Sequence, residues 1–285
     1  MSAIRLSRHM VPKMWGRREL PAAFGAADEL ADLIGEIWFQ DPLGDAPELL
    51  IKYLFTSEHL SIQTHPDDST AQDEGQLRGK DEAWVVLAAE PGAVIGLGLR
   101  SPVGPDRLRQ SALDGSIVDL IDWRPVRCGD TIYSPAGTIH AIGGGISLIE
   151  VQQNCNVTYR IYDYGRDREL HLEQGVAAAR LDVFRDLCTQ ERLDRGRSVL
   201  CQGQKFVLER WEAFGRRWAA APENQPLWLI PLTSGGSVDG TPTEHGEVWR
   251  ADGPVEVELG EGAAWLATYA GGQPLKDLLG RSRNK

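Results

Sequence analysis

Short apolar runs separated by glycine and proline recur along most of this 285-residue chain, and they restrict the folds available to it. The 31 Gly and 16 Pro are spread out rather than clustered, which indicates many tight turns. Residues 83–89 and 93–99 are typical, because two strand-like runs flank a short turn with Pro91 and Gly92. We therefore predict a mainly β protein with a few helices packed outside its sheets, at 22–34, 105–122 and 172–187.

A highly charged stretch at 191–197 interrupts this pattern and marks the predicted domain boundary. Residues 1–190 would form the larger domain, and residues 191–285 a smaller β domain. Four extended segments are expected in that smaller domain, at 205–211, 226–232, 254–259 and 263–269.

The charge of the chain argues against several classes of partner. A net charge of -11 repels nucleic acid and anionic membranes, so neither is expected, and an anionic substrate would need local Lys or Arg. No apolar stretch approaches the ~20 residues of a membrane-spanning helix, and no signal peptide is recognisable. None of the four cysteines lies in a C-x-x-C pair, which favours free thiols and a cytoplasmic location.

The segment from Gly129 to His140 has the spacing G-x5-P-x-G-x2-H. It predicts a strand, a tight turn set by Pro135 and Gly137, and a histidine that projects where the chain re-enters the sheet. The alternative is a hairpin with an incidental histidine. A turn alone does not require the histidine, so the first interpretation is favoured.

Two other segments carry polar residues on one face of a strand. Ser61, Gln63 and His65 alternate along one segment, and Lys80 and Glu82 do so along another. Such a face lines a polar cavity or lies in water, so an exposed edge strand and a surface salt bridge are the alternatives.

Together, four residues from these segments make a mixed nitrogen and oxygen ligand set: Gln63, His65, Glu82 and His140. Two imidazoles and one carboxylate suit Zn²⁺, with Mn, Fe or Co as plausible substitutes. The set contains no thiolate, which argues against a purely structural zinc site of the finger type.

A fourth segment places Glu150 on one predicted strand and Arg160 on the next. A carboxylate and a guanidinium facing one cavity would serve as an acid/base and an anion clamp. The alternative is an internal Glu150–Arg160 ion pair with a purely structural role.

Several of these segments, in the same order, resemble type I mannose-6-phosphate isomerases of the short bacterial form, in the cupin superfamily. They are residues 60–67, 80–84, 134–142, 149–154 and 158–166, and the likeness extends over about 10–185. At 156–157 this chain has Asn156 and Val157 where relatives usually show Asp-Thr.

The resemblance implies a cupin jelly-roll β-barrel as the catalytic domain and a degenerate cupin-like second domain. Residues 260–265 keep a cupin-like turn there without the histidine. It also implies a zinc-dependent isomerase, monomeric or homodimeric, that interconverts mannose 6-phosphate and fructose 6-phosphate through a cis-enediol.

The resemblance assigns roles to eight residues. One zinc ion per chain would be bound by Gln63, His65, Glu82 and His140, and Glu150 would transfer the proton. Arg160, Lys80 and Ser61 would lie along the polar and phosphate groups of the substrate.

Three other functions compete with this one. The chain could be a non-catalytic sugar-binding cupin or an isomerase of another sugar phosphate. An oxygen-using iron cupin is less favoured, because Gln63 replaces the first histidine of an H-x-H pair.

Overall fold

The computed structural model describes residues 3–25, 32–41, 47–186, 188, 190–194, 196–220 and 225–280. Within these residues the chain is mainly β, as the spacing of turns predicts, and its strands form four antiparallel sheets. No helix in this part of the chain is both long and apolar enough to cross a membrane.

Two sheets make up the first half of the chain. In the described residues the larger sheet has six strands, in the order Ser7–Arg17, Ile34–Gln40, Leu49–Phe55, Ile146–Gln153, Glu82–Ala89 and Thr131–Ser134. The smaller sheet has the order Tyr159–Tyr162, Ile62–Thr64, His140–Ile142, Val94–Leu99 and Ile121–Pro125.

The helices of this half include one at 68–73 that was not predicted, and the predicted ones are shorter than expected. They span Asp68–Asp73, Pro105–Asp114, Ile117–Leu120 and Leu172–Ala178, with a 3₁₀ turn at Ala22–Phe24. The helix predicted at 105–122 ends where Gly115 adopts a φ of 82°, and a strand starts at Ile121.

The other two predicted helices differ more. Of the helix predicted at 22–34, residues 26–31 lie outside the described residues, and Ile34 already belongs to a strand. The helix predicted at 172–187 stops at Ala178, and Val183 instead forms a parallel bridge with Leu99 (residue 187 is not described). At Val183, pairing with the end of an inner strand therefore replaces the helix that the periodicity predicted.

The second half also contains two sheets. The larger has the order Ala3–Arg5, Trp249–Ala251, Leu227–Pro231, Ala264–Ala270, Phe206–Glu212, Arg197–Gln202 and Glu191–Asp194. The smaller has the order Thr241–Thr243, Gly236–Val238, Val255–Leu259, Gly215–Ala219 and Leu279–Gly280. We propose that the division into 1–190 and 191–285 describes two domains, with the strand Ala3–Arg5 of the first paired into a sheet of the second.

One apolar core joins the two halves. Tyr53 and Tyr133 of the first half belong to the same buried cluster as Phe206 and Trp228 of the second. Ala83 is part of this cluster too, so the strand that begins at Glu82 is held between the rest of its sheet and the second half. Close packing of this kind leaves little freedom for side chains carried on that strand.

A buried ion pair lies inside the second half. Arg197 donates to both carboxylate oxygens of Glu209, at 2.9 and 2.8 Å. Trp211 Nε1 and the Tyr269 hydroxyl donate to the same carboxylate, at 2.7 and 2.6 Å. Trp265, at the end of the turn that lacks a histidine, is also fully buried. The interior of this half thus holds an ion pair and large aromatic rings among aliphatic side chains.

Replacing Glu209 by Gln should destabilise the protein by about 3–5 kcal/mol, because the buried Arg197 guanidinium loses its counter-charge. Chemical denaturation followed by tryptophan fluorescence measures this loss. Glu212→Gln is the matched control, since its pair with Arg210 is exposed and should contribute at most about 1 kcal/mol. Equal losses in the two variants would contradict the prediction.

Candidate metal centre

Strand pairing brings Gln63 and His140 together although 77 residues separate them. The two residues are directly opposed on neighbouring antiparallel strands of the smaller sheet, and Gln63 Nε2 lies 3.3 Å from His140 Nε2. The turn predicted from Pro135 and Gly137 precedes His140, and the backbone N–H of Gly137 donates to the His65 carbonyl at 2.9 Å. The turn therefore fixes both histidines relative to each other.

Glu82 lies on the opposite sheet, and its carboxylate approaches both His65 and His140. Its Oε1 lies 3.2 Å from His65 Nε2, and its Oε2 lies 3.5 Å from His140 Nε2. One ligand atom from each of these three residues falls within 4.8 Å of the other two, and all three side chains are buried. The structure thus brings together the residues predicted as metal ligands.

Hydrogen bonds define the proton positions on both histidines. His65 Nδ1 donates to the Val157 carbonyl at 3.0 Å, and His140 Nδ1 donates to the Thr138 carbonyl at 3.0 Å. A carbonyl oxygen can only accept, so each Nδ1 carries a proton. In the neutral ring the Nε2 lone pair then faces Glu82. Backbone hydrogen bonds to the second ring nitrogen are typical of metal-binding histidines.

Burial sets the charge states. It lowers the pKa of His65 to about 4 and also lowers the pKa of His140, so both rings are neutral at pH 7. Burial opposes ionisation of Glu82 as well, but the Lys80 ammonium, 2.9 Å from Oε1, helps to hold the Glu82 pKa well below its usual range.

This donor set fits a divalent transition-metal ion. Glu82 Oε2 is buried and has no hydrogen-bond partner, although it faces the Nε2 lone pair of His140. Electron pairs that face one another repel unless a cation shares them. Two neutral imidazole nitrogens and one carboxylate are ligands that zinc and its chemical neighbours prefer.

Gln63 differs in detail from the prediction. Its amide nitrogen faces His140, while its Oε1 accepts a hydrogen bond from Ser61 at 3.0 Å. Rotation of the amide by half a turn exchanges the two atoms and directs the oxygen toward the cluster. Ser61 is therefore placed to orient the Gln63 amide.

Glu150 lines a cavity together with Glu82 and His140, but its ion-pair partner is not Arg160, the one considered above. The Glu150–Arg160 ion pair is absent among the described residues, and the two residues lie on different sheets. Glu150 Oε1 instead pairs with Lys52 at 3.2 Å, and its Oε2 accepts from Trp84 Nε1 at 3.1 Å. Lys52 also lies over the Trp38 ring, 4.6 Å from its centroid.

Arg160 lines this cavity from the smaller sheet. Its Nη1 donates to the Glu169 carbonyl at 2.5 Å, and no carboxylate of the described residues lies within ion-pair distance. Its Nε is buried without a hydrogen-bond partner. Partial burial and the nearby Arg168 guanidinium lower the Arg160 pKa. This guanidinium therefore has hydrogen-bonding capacity for an anion.

Two residues of this region were missed by the sequence analysis. Lys52 is the one charge in the apolar run of strand Leu49–Phe55, and this could have singled it out. Asp81 is buried beside Glu82, accepts from the Tyr133 hydroxyl, and accepts from the backbone N–H of Ala136 at 2.9 Å. Asp81 thus ties the strand that carries Glu82 to the turn that carries His140.

The departures at 156 and 157 have different structural settings. Val157 serves the site through its carbonyl oxygen, which accepts from His65, so its side chain is not needed for that contact. Asn156 lines the cavity itself.

Comparison with other sequences identifies related isomerases. The chain is 43% identical over 196 residues to mannose-6-phosphate isomerase of Streptococcus mutans, which covers 66% of this chain and 61% of the relative. It is 31% identical over 219 residues to mannose-6-phosphate isomerase ManA of Bacillus subtilis, covering 71% of this chain and 68% of the relative. The chain thus spans just over three fifths of the length of the Streptococcus protein.

Solved structures confirm the fold. A mannose 6-phosphate isomerase from Bacillus subtilis superposes with a TM-score of 0.77 at 24% identity, covering 94% of this chain and 99% of that one. A variant of phosphomannose isomerase from Salmonella typhimurium gives a TM-score of 0.72 at 14% identity, over 96% of this chain and 100% of that one. At these identities the likeness establishes the fold alone, and it confirms the predicted mainly β cupin fold.

No family model matches the chain. The sequence relationship carries the assignment, because one relative is more than 30% identical and is covered over more than two thirds of its length. The chain belongs to the mannose-6-phosphate isomerase family.

Proposed function

We propose that this chain is a metal-dependent aldose–ketose isomerase that interconverts mannose 6-phosphate and fructose 6-phosphate. The observation that supports this most is the close approach of His65, Glu82 and His140, because Glu82 and His140 of this cluster line one cavity with Glu150 and Arg160. A sugar-binding protein without catalytic activity would need no buried carboxylate beside a metal cluster.

The metal would be held by His65, Glu82 and His140, with the Gln63 amide oxygen as fourth ligand. We propose zinc, which suits this set of nitrogen and oxygen donors. When bound, such an ion supplies a positive charge that stabilises negative charge on the sugar oxygens during proton transfer. Lys80 would keep Glu82 ionised through their ion pair, and it would also lie beside the sugar oxygens.

The reaction moves a proton between C2 and C1 of the sugar. We assign this transfer to Glu150, whose carboxylate is 5% exposed and is held by Lys52 and Trp84. A carboxylate on one face of the substrate would take the proton from one carbon and return it to the next, through a cis-enediol. The two fixed donors would keep Glu150 oriented during this exchange.

Arg160 would bind the phosphate group, and Ser61 would line the path between the metal cluster and the sugar. An arginine without a carboxylate partner matches the geometry of a phosphate, which can accept two parallel hydrogen bonds. A cytoplasmic location and the choice between monomer and homodimer stay predictions from the sequence.

Removal of the metal should abolish turnover. Chelation of the purified chain should reduce mannose 6-phosphate turnover by at least about 100-fold, and added Zn²⁺ should restore it. His140→Ala should lose bound metal, whereas His9→Ala, on the exposed part of strand Ser7–Arg17, should retain it. Metal content by mass spectrometry and a coupled assay of fructose 6-phosphate measure both effects. Full turnover by metal-free protein would contradict the proposal.

Replacing Glu150 by Gln should lower kcat by about 10²–10⁴-fold and change KM little, because the side chain keeps its shape but cannot accept the proton. Glu36→Gln is a matched control, since Glu36 lines the same cavity and is held by Lys13 at 3.4 Å and by Trp38 at 2.6 Å. We expect less than about tenfold loss there. A similar loss of kcat in both variants would exclude a specific role for Glu150.

Replacing Arg160 by Met should weaken use of mannose 6-phosphate far more than use of free mannose. Loss of a charge-assisted contact to phosphate should lower kcat/KM for the phosphorylated sugar by roughly 100-fold. Arg127→Met, at an exposed position, is the control. If both sugars lose the same factor in the Arg160 variant, the phosphate role is wrong.

A further inference from the structure

Two cysteines meet where the segment between the halves packs against the second half. Cys188 precedes strand Glu191–Asp194, and Cys201 lies on the adjoining strand Arg197–Gln202. The residues are 13 positions apart in sequence, and their sulfur atoms are 2.6 Å apart. An S–S bond of about 2.05 Å is therefore within reach of a small side-chain movement.

The two thiols differ in their access to solvent. Cys201 is fully buried in the core that joins the halves, whereas Cys188 is half-buried and lines a cavity of about 390 Å³. The backbone N–H of Cys188 donates to Asp186 Oδ1 at 2.9 Å. A small oxidant can thus reach Cys188 first.

A metal site is a poor alternative for this pair. In the described part of the chain, one group of three or more His, Cys, Asp or Glu residues has ligand atoms close enough to share an ion, and it is the cluster of His65, Glu82 and His140. Among the residues that the structure describes, Cys188 and Cys201 have no third ligand at that distance. Two adjacent thiols without further ligands are suited to disulfide chemistry.

We propose that Cys188 and Cys201 are a modification site, at which the two thiols are converted reversibly to a disulfide by a low-molecular-weight disulfide such as oxidised glutathione. The Cys188 thiolate attacks one glutathione sulfur, which forms a mixed disulfide and releases one glutathione. The Cys201 thiolate then attacks the Cys188 sulfur, which closes the protein disulfide and releases the second glutathione. The protein loses two hydrogens, which are gained by the two glutathione thiols.

The surroundings of Cys201 determine the order of these steps and the part of the fold that the disulfide would cross-link. Burial raises the pKa of the Cys201 thiol, so Cys188 reacts first and Cys201 resolves the intermediate. The disulfide would tie the segment before 191 to strand Arg197–Gln202. The chain after that strand packs against Tyr133, because a Cβ placed on Gly203 would lie 2.0 Å from its ring. The cross-link would therefore lie on the side of the Glu82 sheet that packs against the second half.

The test uses the full chain, treated with oxidised glutathione after complete reduction. In wild type and in Cys128→Ser, peptide mass spectrometry without reductant should find Cys188 joined to Cys201, and dithiothreitol should reverse the link. Thermal unfolding should shift upward by several degrees, because the cross-link restricts the unfolded chain. Cys128 is exposed and serves as the matched control.

Single variants separate the two steps. Cys201→Ser should accumulate glutathione on Cys188, since the resolving thiol is missing, and Cys188→Ser should form neither product at these positions. If Ser at the buried position prevents folding, Cys201→Ala gives the same readout. Wild type that keeps both thiols free, retains glutathione on Cys188, or cross-links through Cys128 or Cys155 would overturn the proposal. None of these outcomes depends on the isomerase activity.

Discussion

The ionised carboxylate of Glu82, which is 1% exposed, is the constraint on which the first half of the molecule depends. A buried charge is costly unless paired groups or a metal ion compensate it. Here the compensation comes from residues on both sheets, so those sheets must meet at a fixed distance and register. The cross-strand position of Gln63 and His140, the turn before His140, and the bonds of Asp81 all serve this register.

The second half meets a similar constraint with protein groups alone. Glu209 is as deeply buried as Glu82, but a guanidinium, an indole and a phenol donate to it from neighbouring residues and strands. Both oxygens of Glu209 accept hydrogen bonds from these groups, and large aromatic rings are buried in the same half. One architecture therefore supports an open cluster of ligand atoms in one half and a sealed ion pair in the other.

The parts predicted from sequence are those set by local geometry. The turn at Pro135 and Gly137 depends on residues a few positions apart, and so does the alternation that puts Gln63 beside His65. The partner of Glu150 could not be predicted in this way. Lys52 lies 98 positions before it, and their pairing depends on strand Leu49–Phe55 lying beside strand Ile146–Gln153. Nearness in sequence instead suggested Arg160 as the partner of Glu150, but the sheet topology places Arg160 on the other sheet.

Strand assignment also limits what helical periodicity can predict. The apolar spacing beyond 178 is compatible with a helix, yet Val183 forms a parallel bridge with Leu99 at the end of an inner strand. At the other end of the chain, nothing local in residues 3–5 indicates that they pair with residues 249–251. Both outcomes depend on which strand residues remain unpaired once the central strands have paired. That is a property of the whole fold.

The charges around the cavity resolve the conflict between an acidic chain and the anionic substrate proposed for it. Each lysine that lines it has a glutamate partner: Lys13 with Glu36, Lys52 with Glu150, and Lys80 with Glu82. Arg168 is held by both oxygens of Asp163, at 2.6 and 2.7 Å. Within the described residues Arg160 lines the same cavity without a carboxylate at ion-pair distance. The cavity wall therefore carries positive charge in excess although the chain carries -11 overall, and a field of this kind favours binding of a phosphorylated sugar.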